Sequence, residues 1–120
     1  MRSIKEKELE SEIIKLGHRY KICDRTYPGS PDLFFPDKKV AIFFHGCFWH
    51  YHDCKIFKLT DIWEKKLQKQ RQADKLNRDK LRTLGVTTHS VWECSWDKNK
   101  QKELDFISDL LFLAPTLLKH

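Results

Sequence analysis

The amino-acid sequence predicts a single α/β domain in which a mixed central sheet is flanked by helices. Segments with the apolar spacing of helices alternate with short apolar runs typical of strands, in the order α-β-β-β-α-β-α. A length of 120 residues is enough for one core, so the predicted domain covers residues 1–120. No apolar run is long enough to span a bilayer, so we expect no membrane partner.

The first half of the chain predicts one helix and three strands. Helical spacing runs over residues 4–16 and ends at Gly17, a residue common after helix C-termini. Short strands are predicted at 19–23 and 32–35, and a buried strand at 40–44. A turn rich in Pro and Gly separates the first two strands, and a hairpin turn joins the second strand to the third.

The second half predicts a long helix, a strand and a final helix. Asp61 is a suitable N-cap for a helix that continues to Leu84 and ends at Gly85. A strand follows at 86–92, where Trp92 is expected to pack in the core, and a helix at 102–113.

Residues 45–54, with the sequence HGCFWHYHDC, predict a structural zinc site. Thiolates and imidazoles at short spacing suit tetrahedral zinc, and a closed site needs four ligands. Cys94 is the favoured distant ligand because it ends the predicted last strand, which would finish beside this loop if it pairs with strand 40–44. Cys23 has no ligand companion nearby in the sequence. The predicted ligands are Cys47, His52, Cys54 and Cys94. The alternative is that these cysteines are small buried apolar residues.

Asp32 and the histidines His45 and His50 suggest phosphodiester hydrolysis. A carboxylate can anchor Mg²⁺ through hard oxygen while most of the metal's waters remain, and a histidine can act as general base or acid. The alternative is that Asp32 only closes the turn after Pro31, a common role for Asp.

The long helix is strongly basic. Between Glu64 and Arg82 it carries eight basic residues against three acids, an excess of five in a chain of net charge +6 and pI near 9.2. The basic residues are Lys65, Lys66, Lys69, Arg71, Lys75, Arg78, Lys80 and Arg82. They predict contacts with DNA phosphates, although a solvated helix face would look the same. Asp74, midway along the helix, is placed to reach a metal-bound water.

Three motifs together resemble the very-short-patch-repair endonucleases. They are P-G-x-P-D at 28–32, H-G-C-F-W-H-x-H-x-C at 45–54 and V-W-E-C at 91–94, and the resemblance extends from about Glu6 to Cys94. Members of that family nick DNA beside a thymine–guanine mismatch. The resemblance therefore implies a restriction-endonuclease-like fold with a structural zinc site.

The resemblance also implies a role for individual residues. Asp32 would bind Mg²⁺, His50 would be the catalytic base with His45 assisting, Asp74 would orient a water, and Glu6 would support the site. Phe44 stands where the family commonly has threonine, and its main-chain carbonyl would also bind Mg²⁺. The four zinc ligands would be those already predicted. Phe48, Trp49 and Trp63 would wedge into the DNA stack, next to the phosphate-binding Lys65, Lys66 and Lys69.

The N-terminal assignment leaves alternatives, because Glu8 or Glu10 could stand in the Glu6 position. The family also has several more residues ahead of that position than this chain has. We expect a monomeric, cytoplasmic and nucleoid-associated bacterial protein that binds mismatched double-stranded DNA. Two other readings are a related restriction- or nicking-type nuclease without mismatch specificity, and a non-catalytic zinc module that binds DNA.

Overall fold

The computed structural model of the protein describes residues 4–23, 25–47 and 59–114. Within those ranges it is a mixed α/β structure in which helices flank one four-stranded sheet. The elements are α1 (Ile4–Ile14), β1 (Lys21–Ile22), β2 (Leu33–Phe35), β3 (Val40–His45), α2 (Asp61–Thr83), β4 (Thr87–Trp92), α3 (Glu93–Lys98) and α4 (Lys100–Leu113). The predicted mixed sheet flanked by helices is confirmed.

The sheet has the strand order β1-β2-β3-β4. β1 pairs with β2 and β2 pairs with β3 in antiparallel orientation. β3 and β4 are parallel, in a register that ends with His45 opposite Trp92. Parallel strands finish at the same edge of a sheet. The chain therefore leaves β3 and β4 side by side, as expected if the last strand pairs with residues 40–44.

The two faces of β3 pack against different helices. Ile42 and Phe44 belong to the larger core, which includes residues of α1, α3 and α4. Ala41 and Phe43 belong to a smaller core with Leu81 of α2. Successive strand side chains point to opposite faces, so β3 is covered on both sides. This explains why its sequence is a continuous apolar run.

The structure corrects three details near the C-terminal end. Cys94 does not end a strand, because β4 stops at Trp92 and Cys94 lies in the short helix α3. Trp96, at 0% exposure, is the core tryptophan of this region, whereas Trp92 is only partly buried. The last helix begins at Lys100, ahead of the predicted start, because the Asn99 side chain caps it by accepting a hydrogen bond from the Lys102 N–H over 3.1 Å.

α2 is 23 residues long, and Leu67 and Leu81 are its buried residues. Most of the remaining surface of this helix is exposed to solvent. In the part of the chain that the structure describes, no helix combines the length and the apolar character needed to cross a membrane.

Candidate active site

A cavity of about 240 Å³ is lined by residues of α1, α2, β3 and the turn before β2. Glu6, Asp32, His45 and Asp74 all line it. The sequence separates these four residues widely, and the fold brings them to one place. His50, the predicted base, lies outside the described residues.

Asp32 is held by both its main chain and its side chain. Its carbonyl oxygen accepts a hydrogen bond from the Cys23 N–H over 3.0 Å. Its carboxylate oxygen Oδ2 accepts one from the main-chain N–H of Phe44 over 2.6 Å. The two residues predicted to bind Mg²⁺, Asp32 and Phe44, are therefore in direct contact across the β2–β3 edge.

The turn before Asp32 packs closely on α2. Gly29 has φ +78°, a backbone conformation that residues other than glycine rarely adopt. A Cβ at this position would lie 3.1 Å from Cβ of Asn77 and 3.2 Å from Cε1 of Phe43. Glycine is thus required here for both its conformation and its size, and it sets the distance between the Asp32 turn and α2.

His45 is 4% exposed and lies between two aromatic rings. Its ring stacks on that of Phe43, with centroids 5.8 Å apart, and is tilted against that of Trp92 at 4.7 Å. Nε2 lies 3.2 Å from Ser90 Oγ on β4, within hydrogen-bonding distance. These contacts fix the orientation of the imidazole. Ser90 was not found from the sequence, because only the parallel register of β3 and β4 reveals its proximity.

The first turn of α1 is anchored beside Glu6. Nζ of Lys5 donates to Asp97 over 2.7 Å and to Glu93 over 3.3 Å, both on α3. These bonds, mainly that to Asp97, raise the pKa of Lys5 above its ordinary value. Of the three glutamates left open by the sequence, Glu6 lines the cavity, while Glu8 accepts a hydrogen bond from Lys100 of α4.

One face of α2 supplies the opposite wall of the cavity. Asp74 accepts a hydrogen bond from the Gln70 side chain over 2.9 Å, and Gln70, Asn77 and Arg78 also line the cavity. Apart from Asp74, these residues were not singled out as catalytic from the sequence. Their spacing from Asp74 places them on the same side of a helix, which is the signal that could have identified them.

The cavity has the electrostatic character of a cation site. Among the described residues that line it are three carboxylates (Glu6, Asp32, Asp74) and one guanidinium (Arg78). Within the described ranges, no three His, Cys, Asp or Glu residues form a ready-made metal-binding group. Mg²⁺ needs only one or two carboxylates because it keeps several waters. Asp32 with a neighbouring main-chain oxygen therefore fits that ion.

Two of the four predicted zinc ligands can be located. Cys47 is 3% exposed, and Cys94 is partly buried in the first turn of α3. Each lies two residues beyond the last β3–β4 pair, His45 and Trp92. The two thiols thus follow adjacent strand ends, a placement that suits a shared metal. His52 and Cys54 lie outside the described residues, so the zinc site remains a prediction.

The predicted DNA-binding residues on α2 are accessible. Trp63 is 41% exposed, and Nζ of Lys66 lies 5.3 Å from the centre of its ring. Lys65 and Lys69 are also exposed. Phe48 and Trp49, the other two predicted wedge residues, lie outside the described residues.

Comparisons with known proteins point to one family. Residues 2–56 match the model of the family "DNA mismatch endonuclease Vsr". The chain is 34% identical over 93 residues to the type II nicking enzyme V.XorIIP of Xanthomonas oryzae pv. oryzae, covering 74% of this chain and 68% of the relative. It is 36% identical over 94 residues to the DNA mismatch endonuclease Vsr of Escherichia coli K12, covering 75% and 60%.

A third relative extends the pattern. The type II nicking enzyme V.NmeAIP of Neisseria meningitidis is 38% identical over 88 residues, covering 70% of this chain and 62% of the relative. The matched part of the chain thus spans between 60% and 68% of the length of these three relatives.

Proposed function

Since the chain belongs to the DNA mismatch endonuclease Vsr family, a family of DNA endonucleases, we propose that it nicks one strand of duplex DNA beside a thymine–guanine mismatch. We further propose that it uses Mg²⁺ for the reaction and zinc for structure. The observation that carries the proposal is that Glu6, Asp32, His45 and Asp74 line one cavity.

The charge of the cavity supports a metal requirement. A wall with three carboxylates and one guanidinium repels a phosphodiester. Bound Mg²⁺ would offset this repulsion, polarise the phosphate and lower the pKa of a coordinated water. Asp32 would hold the ion with its carboxylate and Phe44 with its main-chain carbonyl. The hydrogen bond between the two residues orients the carboxylate for that task.

The remaining catalytic roles would belong to side chains of the protein. His50 would accept the proton of the attacking water, since a histidine can act as base near neutral pH. His45 would assist, and its contacts with the neighbouring rings and with Ser90 would keep its imidazole in one orientation. Asp74 would orient the water, and Glu6 would support the site from α1.

Zinc would have a structural role. Cys47, His52, Cys54 and Cys94 would hold the ion, and their thiolate and imidazole donors are those zinc prefers. Such a site would connect the end of β3 with the start of α3. Because His50 lies between two of these ligands in the sequence, zinc would also fix the part of the chain that carries the base.

Mismatch recognition would depend on aromatic residues. Phe48, Trp49 and Trp63 would stack against bases, and inserting them costs less where base pairing is already weak. The exposure of Trp63, together with the exposed Lys65, Lys66 and Lys69, supports a DNA surface at the N-terminal half of α2. We place the protein on DNA in the bacterial cytoplasm, acting as a monomer.

A nicking enzyme without mismatch preference is the second candidate, because V.XorIIP and V.NmeAIP are named as type II nicking enzymes. A non-catalytic DNA-binding module is disfavoured, because binding alone gives no reason for three carboxylates and a histidine to line one cavity. The test is to incubate duplexes labelled on either strand with the protein in Mg²⁺, and with the metal chelated. We expect a break in one strand only, and only with Mg²⁺. Binding without any break would contradict the proposal.

A further inference from the structure

Among the described residues that line the candidate active site, Arg78 is the one with a permanent positive charge. It lies on α2 one turn after Asp74 and is partly buried. Three carboxylates line the same cavity, yet Arg78 forms no ion pair or hydrogen bond with any of the described residues. The fold therefore places an arginine near several acids without pairing it to one.

Arg82, one turn further along α2, differs from Arg78 in its partner and in its location. Its guanidinium lies 3.7 Å from Asp79 and its side chain is 67% exposed. Arg82 is not among the residues that line the cavity. Two arginines of the same helix thus differ in both partner and location, and only Arg78 is placed to meet a ligand of the cavity.

Asn77 adds a second donor beside Arg78. Its Cβ packs against Gly29, which fixes the start of the side chain. Asn77 also lines the cavity, and its side chain forms no hydrogen bond in the described part of the chain. Asn77 and Arg78 therefore bring an amide and a guanidinium to the lining of one cavity, and neither side chain has a hydrogen-bond partner among the described residues.

A partly buried guanidinium is stabilised when an anion replaces its lost hydration. Arginine has a planar set of donors that matches two oxygens of a phosphate, and such charge-assisted bonds are stronger than neutral ones. In a cavity whose described lining includes three carboxylates, these donors would provide a direct contact for a negatively charged substrate.

We propose that Arg78, with Asn77 beside it, binds the non-bridging oxygens of the phosphodiester that is cut. This inference rests on the proposed nicking activity and extends it, because it assigns the residues that hold the scissile phosphate. The contact offsets the repulsion by Glu6, Asp32 and Asp74. It also strengthens as negative charge develops on those oxygens during the attack.

The experiment compares Arg78→Met with Arg82→Met, since both variants keep an apolar stem and remove one guanidinium from the same helix. A hydrogen bond to a charged group has an energy that corresponds to roughly 10- to 100-fold in a rate or equilibrium constant. We expect Arg78→Met to lower kcat/KM for nicking by about that factor and Arg82→Met by a few-fold at most. Equal effects of the two substitutions would overturn the assignment.

A second measurement tests the contact with the phosphate itself. The nick made by the wild-type chain identifies the cut linkage, and a duplex is then made with a neutral methylphosphonate at that linkage alone. Affinities are measured in the Asp32→Asn background, where no cleavage is expected. Arg78→Met should weaken binding of the natural duplex and leave binding of the methylphosphonate duplex nearly unchanged. An equal loss on both duplexes would show that Arg78 acts elsewhere.

Further variants keep the test decisive. If Arg78→Met fails to fold, Arg78→Lys replaces it and should lower kcat/KM with an unchanged melting temperature, because lysine lacks the planar donor set. Wild-type kcat/KM in Arg78→Lys would overturn the proposed contact of the Arg78 guanidinium with two phosphate oxygens. Asn77→Ala keeps the Cβ near Gly29 and should produce a smaller loss. Failure of the wild-type chain to nick any duplex would instead reject the proposed function.

Discussion

The carboxylate of Asp32 accepts a 2.6 Å hydrogen bond from the main-chain N–H of Phe44. This bond connects the turn before β2 with the central strand β3 and fixes the acid relative to the main chain. The Phe44 side chain is 6% exposed and belongs to the larger core. Position 44 therefore contacts Asp32 through its main chain, and this contact is compatible with a phenylalanine side chain that packs in the core.

The first prediction concerns Asp32. Asp32→Ala should abolish nicking because the carboxylate that would hold Mg²⁺ is lost, while DNA binding through α2 persists. Asp37→Ala is the matched control. Asp32 precedes β2 and Asp37 follows it, but Asp37 pairs with Arg19 over 2.6 Å and does not line the cavity. Nicking rates and duplex affinities are measured for both. Full activity of Asp32→Ala would remove this residue from the mechanism.

The second prediction concerns Gly29. An alanine here is strained by its φ of +78° and would crowd Asn77 and Phe43. We expect the free energy of unfolding to fall by more than the roughly 1–3 kcal/mol that the conformational strain alone would cost. Nicking should also be slower, because Asp32 follows in the same turn. Thermal unfolding and nicking rates check this.

Gly85 provides the control for that substitution. It has the same φ of +78°, but a Cβ there meets no atom within 4 Å. Gly85→Ala should therefore show the conformational cost without the packing cost and retain nicking. If the two variants lose equal stability and activity, the close packing of the turn on α2 has no role in the site.

The third prediction concerns zinc. Cys54→Ser and Cys94→Ser should each release the metal and lower the melting temperature, because zinc binding to thiolates contributes directly to folding. Cys23→Ser is the control and should keep the metal. Zinc content per chain is measured by elemental analysis. Wild-type zinc content in Cys54→Ser or Cys94→Ser would remove that residue from the ligand set.

The fourth prediction separates stacking from charge. Stacking of a base on an aromatic side chain contributes about 1–3 kcal/mol. Trp49→Ala and Trp63→Ala should therefore reduce the preference for mismatched over matched duplexes. Lys69→Ala should weaken both duplexes equally and reduce the salt dependence of binding. Affinities at two salt concentrations distinguish the two effects.

Protein stability provides the control for these tryptophan variants. Trp96 is fully buried, so Trp96→Ala should destabilise the fold by about 3–5 kcal/mol. Trp63→Ala should leave the melting temperature nearly unchanged because the residue is 41% exposed. Unfolding of Trp49→Ala would place that residue in the core and reject it as a wedge.

The sequence predicted most of the elements because their signals are local. β3 is a continuous apolar run, and α2 ends just before Gly85 as predicted. The prediction of Asp61 as the N-cap was wrong, because Thr60 is the N-cap residue and Asp61 is the first residue of the helix. The six-residue helix α3 has no comparable signal. It follows β4 directly, with Trp92 as the residue before it. Cys94 was consequently assigned to the end of a strand.

The candidate site was predicted where its residues belong to short motifs, as with Asp32 and His45. Ser90 and Asn77 were missed because their proximity to the site depends on tertiary structure, and Arg78 was predicted only as one of the basic residues that contact phosphates. Ser90 reaches His45 through the parallel β3–β4 pairing. Asn77 and Arg78 reach the cavity because α2 packs over the turn at Gly29. Helical spacing places Asn77 and Arg78 on the same side of α2 as Asp74, but the packing of that side on the Gly29 turn, like the pairing of β3 with β4, cannot be derived from spacing.

Mismatch-directed nicking is tested most directly by comparing kcat/KM for two duplexes of otherwise identical sequence. One duplex has a thymine–guanine mismatch at the position where the other has a thymine–adenine pair. Mg²⁺ is present, and each strand is labelled in turn. Unstacking costs a few kcal/mol and costs least at a mismatch, so we expect a ratio of at least about tenfold and a single break in one strand beside the mismatch. Equal rates on the two duplexes, or breaks in both strands, would contradict the proposed function.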